Sequence, residues 1–100
     1  MVNAENALRV IDAHNLSITS NTLLTSRARS VLVTQENAGR TYTNTFTANT
    51  ILQKNPDYPY IEMKDEVAGS NLAASFLTPS GNTLYPNYKP NTSYVRSVNF

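Results

Sequence analysis

Two segments, Arg27-Ala28-Arg29-Ser30-Val31-Leu32-Val33-Thr34 and Arg40-Thr41-Tyr42-Thr43-Asn44-Thr45-Phe46-Thr47, decide the fold class of this chain. The first carries β-branched residues at its centre, which fit a pleated, half-buried surface. The second alternates strictly: Thr41, Thr43, Thr45 and Thr47 share one face, and Tyr42, Asn44 and Phe46 share the other. Threonine suits a strand sterically while water satisfies its hydroxyl, so this spacing predicts a sheet with one wet face. Between them lies Glu36-Asn37-Ala38-Gly39, a turn by composition, because Asn and Gly tolerate positive φ. Residues 30–48 therefore read as a β-hairpin.

Toward the N-terminus, Leu16 and Ile18 alternate with Ser17 and Thr19 and predict another strand, with Ser20-Asn21-Thr22 as a turn. Residues 3–13 predict a short helix. Ala4, Ala7/Leu8 and Ile11 form an apolar stripe, Asn3 can cap it, and Glu5 sits where the helix dipole favours an acid. Toward the C-terminus the pattern loosens. Pro56 and Pro59 disfavour a central strand. Ile61-Glu62-Met63 reads as a short edge strand and Lys64-Asp65-Glu66 as a charged turn. Leu72, Ala74 and Phe76 alternate within 69–77, 78–82 reads as a turn and 84–90 as extended chain. In the closing strand, 93–100, Tyr94, Val98 and Phe100 share a face. No period of 20–50 residues recurs. The expected architecture is one mainly β domain over 1–100, a small β-sandwich or open barrel with a short N-terminal helix and extended Tyr/Pro-containing arms. It divides into a helical segment 1–15, a hairpin-rich core 16–53 and an extended, loop-rich region 54–100.

Composition narrows the function. The chain has 100 residues, a formal net charge of +1 and no cysteine. A disulfide scaffold, a Cys-based zinc site and a Cys nucleophile are excluded. The near-neutral balance lacks the basic stripe of a nucleic-acid domain. No aliphatic run approaches the roughly 20 residues of a membrane-spanning helix, and the first residues lack the basic and apolar regions of a signal peptide. Asn, Thr and Ser make up 34 residues and Leu, Ile, Val and Phe only 23. So small an apolar share against the folding entropy of such a chain favours contacts from outside it.

Candidate chemistry is sparse. Asp12 and His14 form the one close Asp/His pair, with no nucleophile elbow beside any serine. Asp57, Glu62, Asp65 and Glu66 cluster without calcium-loop spacing, with Lys64 among them, and read as a solvated turn. Arg27, Arg29 and Arg40 flank the hairpin. Five of the six tyrosines and all five prolines lie beyond residue 55. Tyrosine offers stiff, amphipathic contact area and proline lowers the entropy of ordering. The expected contact residues are therefore Tyr58, Tyr60, Tyr85, Tyr88, Tyr94 and Phe100, with Arg27 and Arg29.

These features predict a non-enzymatic structural component of a larger assembly, with no cofactor, no metal and no catalytic residue. Its partners would be copies of itself or other subunits. The composition resembles that of small capsid-decorating or tail-associated bacteriophage proteins, made in the cytoplasm and carried on a particle after assembly. The alternative is a small module that binds carbohydrate or another surface, with tyrosine faces for stacking and Asn and acids for polar contacts.

Overall fold

A computed structural model describes residues 6–25, 28–67, 75–85 and 95–99. These described residues contain ten short strands: β1 (Leu8–Ile11), β2 (Ser17–Thr19), β3 (Thr22–Thr25), β4 (Val31–Gln35), β5 (Asn44–Thr47), β6 (Thr50–Gln53), β7 (Ile61–Asp65), β8 (Leu77–Ser80), β9 (Thr83–Tyr85) and β10 (Val95–Asn99). They form three sheets of order β1-β4-β7-β10, β2-β5-β8 and β3-β6-β9, termed sheets 1, 2 and 3. Every strand pair is parallel. The chain visits sheets 1, 2 and 3 in turn and returns to sheet 1, so each circuit stacks on the one before. The architecture is a three-faced parallel β-solenoid.

Mainly β character agrees with the sequence reading; several finer expectations do not survive. β4 and β5 are not a hairpin, because β4 pairs with β1 and β7 while β5 pairs with β2 and β8. Alternation correctly placed Asn44 and Phe46 inside and Thr45 outside, but it fails before the strand begins, where Thr41 is buried and Tyr42 exposed. It carries no information about which strand lies across the ladder. No helix occupies the described part of 3–13: Leu8–Ile11 is a strand with Val10 inward and Arg9 outward. The same residues satisfy either period over so short a run. Ile61–Asp65 is the core of sheet 1, flanked by β4 and β10, rather than an edge strand with a charged turn. The strand Leu77–Ser80 runs into 78–82, where a turn was expected; its Pro79 lacks an N–H donor and sits in the outermost strand of sheet 2.

The repeat that a fixed period misses is present. Ser20-Asn21-Thr22-Leu23, Ala48-Asn49-Thr50-Ile51 and Gly81-Asn82-Thr83-Leu84 occupy equivalent places in three successive coils, paired Thr22↔Thr50↔Thr83. Their spacings differ because the connections elsewhere in the coil differ in length. Each motif turns the chain between sheets 2 and 3. Its first residue takes a left-handed conformation, with φ of 59° at Ser20, 54° at Ala48 and 65° at Gly81.

Inward residues stack in columns along the solenoid: Leu8-Val31-Ile61-Val95 and Val10-Val33-Met63 from sheet 1, Ile18-Phe46 from sheet 2, Leu23-Ile51-Leu84 from sheet 3. Phe76, Leu77 and Tyr60 complete the core. Full burial of each large side chain contributes about 1.5–3 kcal/mol, which lets few apolar residues hold a narrow cross-section.

Candidate functional site

Asparagine supplies the polar spine on which the outer surface is mounted. Asn49 is 1 % exposed. Its Oδ1 accepts from the Asn21 backbone N–H at 2.8 Å and from Asn21 Nδ2 at 3.0 Å. Its Nδ2 donates to the carbonyls of Ile18 and Thr47, each at 3.0 Å. One coil on, Asn82 Oδ1 accepts from the Asn49 N–H at 2.9 Å, and Asn82 Nδ2 donates to Phe46 O at 3.0 Å. A sharp corner strands backbone donors and acceptors that water cannot reach, and one amide side chain per coil satisfies both kinds. Asn44 plays the same part at the corner between sheets 1 and 2. There it accepts from Leu16 N and donates to Ala13 O and Phe76 O, after Thr43 at φ 55°.

The faces held by this spine carry a regular chemistry. Register stacks Ser17-Thr45-Thr78 and Thr19-Thr47-Ser80 on the outside of sheet 2, and Thr22-Thr50-Thr83 on the outside of sheet 3. These nine hydroxyl residues are exposed or half-buried. Coils repeat at about 4.8 Å and alternate residues along a strand at about 6.6 Å, so the hydroxyls form a grid that crosses the corner. Beside it on sheet 3 runs an apolar column, Leu24-Leu52-Tyr85. Leu24, Leu52 and Tyr85 line a cleft of about 370 Å³ with Gln53 and Lys54, and Tyr85 is 54 % exposed. At the opposite margin of sheet 2, His14 and Tyr42 stack with ring centroids 4.7 Å apart and planes 5° from parallel.

Sheet 1 differs. Its outward residues Leu32 and Glu62 are buried. Glu62 Oε2 lies 2.9 Å from Arg29 Nε, and Oε1 is paired with Arg96 Nη2. The Arg29 guanidinium lies over the Tyr58 ring, 5.7 Å from its centroid. Two guanidinium groups offset the desolvation of one carboxylate. This cluster is an internal tie between the 54–60 connection and sheet 1.

The expected contact residues therefore separate. Tyr85 is exposed beside the hydroxyl grid. Tyr60 is fully buried and belongs to the core, so its ring has no surface for a second chain. Tyr58 and Arg29 face one another and Glu62. Arg27, Tyr88, Tyr94 and Phe100 lie outside the described residues. Glu62 and Asp65 are buried in β7, not in a solvated turn. Asp12 does not pair with His14. Its Oδ1 accepts from the N–H groups of Glu36 and Asn37 at 2.7 and 3.1 Å, and its Oδ2 accepts from Asn37 Nδ2 at 2.7 Å. The Asn37 side-chain bond, aided by the backbone bonds from Glu36 and Asn37 and by Arg40, holds the Asp12 carboxyl below the usual range against a smaller opposing effect of desolvation. Among the described residues no group of three or more His, Asp or Glu could hold a metal ion, and no helix is long and apolar enough to cross a membrane.

Sequence reasoning missed the hydroxyl grid and the Leu24-Leu52-Tyr85 column. The signal that reveals both is the recurrence of Asn-Thr-Leu/Ile behind a small residue, which sets the register of the coils. No protein-family model matches the chain, and searches of curated proteins and of solved structures return no match.

Proposed function

We propose that the chain is a non-enzymatic structural segment of a larger assembly, acting through contacts at the ends of its coil stack. The observation that carries this reading is the open strand edges. Among the described residues, nothing pairs with the outer edges of β1, β2 and β3 at one end or of β8, β9 and β10 at the other. Such edges present unpaired N–H and C=O groups that template further pairing. A neighbouring coil, from a copy of this chain or another subunit, would continue the ladders in register. Pro79 blunts the edge of sheet 2, which leaves sheets 1 and 3 as the favoured contacts. The low charge and the Asn/Thr/Ser-rich composition suit a particle component, and a capsid-decorating or tail-associated bacteriophage protein is the proposed setting. Light scattering coupled to size-exclusion chromatography tests the reading. It expects a defined multimer or an end-to-end series that lengthens with concentration; an 11.1 kDa monomer at every concentration overturns self-assembly.

A second reading, a module that binds carbohydrate, is favoured by the uncharged hydroxyl grid with exposed Tyr85 and the His14–Tyr42 stack at its margins. Rigidly spaced hydroxyls and aromatic faces match an uncharged polyol chemically, and the two readings are compatible because they use the ends and the sides of the solenoid. Retention on a polysaccharide column, lost on Tyr85→Ala, is the expected result; equal retention of the variant removes Tyr85 from the site.

A further inference from the structure

We infer that the cleft on the outer face of sheet 3 binds a sugar ring bearing a carboxylate, a uronic acid unit of a glycan. The inference rests on the second reading above and specifies its ligand. Three chemistries meet there in a fixed order. Thr50 and Thr83, two residues before Leu52 and Tyr85 on the same outer face, place hydroxyls beside the cleft rather than in its lining. Leu24, Leu52 and the exposed ring of Tyr85 form an apolar floor and wall. Lys54, two residues beyond Leu52 and exposed, lines the far side with its aliphatic stem and carries its ammonium at that outer margin.

A pyranose has an apolar face of C–H groups, an equatorial rim of hydroxyls and, when oxidised at C6, a carboxylate at one corner. The apolar face needs an aromatic or aliphatic platform, the rim needs hydroxyl or amide partners, and the carboxylate needs a cation. Lys54 is the one charged side chain lining the cleft among the described residues, and no carboxylate lines it. The charge of the cleft is thus complementary to an acid and opposed to a basic ligand. Its volume lies near the lower end of the roughly 300–1,000 Å³ of small-ligand sites, a size suited to a short stretch of chain rather than a large cofactor. A neutral sugar would use the same floor and hydroxyls but leave Lys54 without a partner.

The test compares β-1,4-linked oligomers of glucuronic acid with β-1,4-linked glucose oligomers of equal length, which differ only in a carboxylate for a hydroxymethyl at C6. Both are titrated calorimetrically into the wild-type chain and into Lys54→Met and Tyr85→Ala. Circular dichroism checks that the two surface variants remain folded. The inference expects the acidic oligomer to bind at least about tenfold more tightly than the neutral one, the size of effect a charge-assisted contact supplies. That preference disappears in Lys54→Met, and both ligands are lost in Tyr85→Ala. Equal binding of the two oligomers by the wild type, with loss in Tyr85→Ala, overturns the acidic specificity and leaves the carbohydrate reading standing. Binding of neither oligomer overturns both. An acidic preference unchanged in Lys54→Met overturns the placement in this cleft.

Discussion

The corner between sheets 2 and 3 and the connections on the other two sides of the solenoid solve the same problem in different ways. At the corner, each of three coils spends only two residues, Ser20-Asn21, Ala48-Asn49 and Gly81-Asn82, and the asparagines bond from coil to coil. On the other sides the fully described links are longer: 12–16 and 36–43 before sheet 2, and 54–60 before sheet 1. The longer links are tied by polar side chains, and Gln35 Oε1 accepts from the N–H groups of Arg40 and Thr41 at 3.2 and 3.1 Å. Gln53 Nε2 donates to the carbonyls of Asn55, Tyr58 and Pro59, and Asp12 holds the 36–37 backbone. The comparison teaches that register is held where the turn is tightest, and that insertions are tolerated where a side chain can satisfy the extra backbone.

Breaking the spine has the largest expected effect. Asn49→Ala removes the acceptor of the Asn21 N–H and the amide donated to the carbonyls of Ile18 and Thr47, of which Thr47 keeps the Ser20 N–H. With about 1–3 kcal/mol per buried unsatisfied group, a loss of about 3 kcal/mol or more is expected in urea unfolding. Asn21→Ala, at the exposed end of the spine, should cost only about 1 kcal/mol; equal losses would show that the ladder does not act as a unit.

Breaking a long link comes next. Gln53 is fully buried and its Oε1 also accepts from Ser30 Oγ at 2.8 Å. Gln53→Ala should cost about 2–3 kcal/mol and raise amide exchange through 54–60, while the 48–49 corner keeps its protection. Loss of protection at both places would mean that link and corner are not separable.

Sharpening the corner is a smaller step. Ala48 holds φ of 54° where the next coil has Gly81 at 65°. Ala48→Gly relieves that strain and should add about 0.5–1 kcal/mol. Gly81→Ala should lose a similar amount through backbone strain alone, since a Cβ there meets nothing within 4 Å. Thermal melts read both signs.

The smallest effect is the response of the 36–40 link to acid. Asp12 is held below its ordinary range in the folded chain, so its contribution is present above the unfolded value and is lost as pH falls through the lower, folded value. Glu36 and Asn37 amide signals should therefore move only below the ordinary aspartate range, and Asp12→Asn should abolish that step. A titration unaltered in the variant would place the responsible group elsewhere.

The sequence by itself determined the mainly β character and, in a few segments, which way the side chains point. Leu16-Ser17-Ile18-Thr19 and Asn44-Thr45-Phe46-Thr47 alternate because a pleated chain sends neighbours to opposite faces, a strictly local property. It also held the repeat, as Asn-Thr-Leu/Ile behind a small residue, hidden from a fixed-period reading by links of unequal length. What only the tertiary structure decided is pairing: that β4 and β5 lie in separate sheets, that every ladder is parallel, and that Tyr60 and Glu62 are interior while Tyr85 faces outward. Backbone hydrogen bonds between coils are made by groups common to all residues, so side-chain alternation is silent about their partners. Closing a circuit and stacking the next upon it is a property of the whole coil, and only there do nine scattered Ser and Thr become a surface.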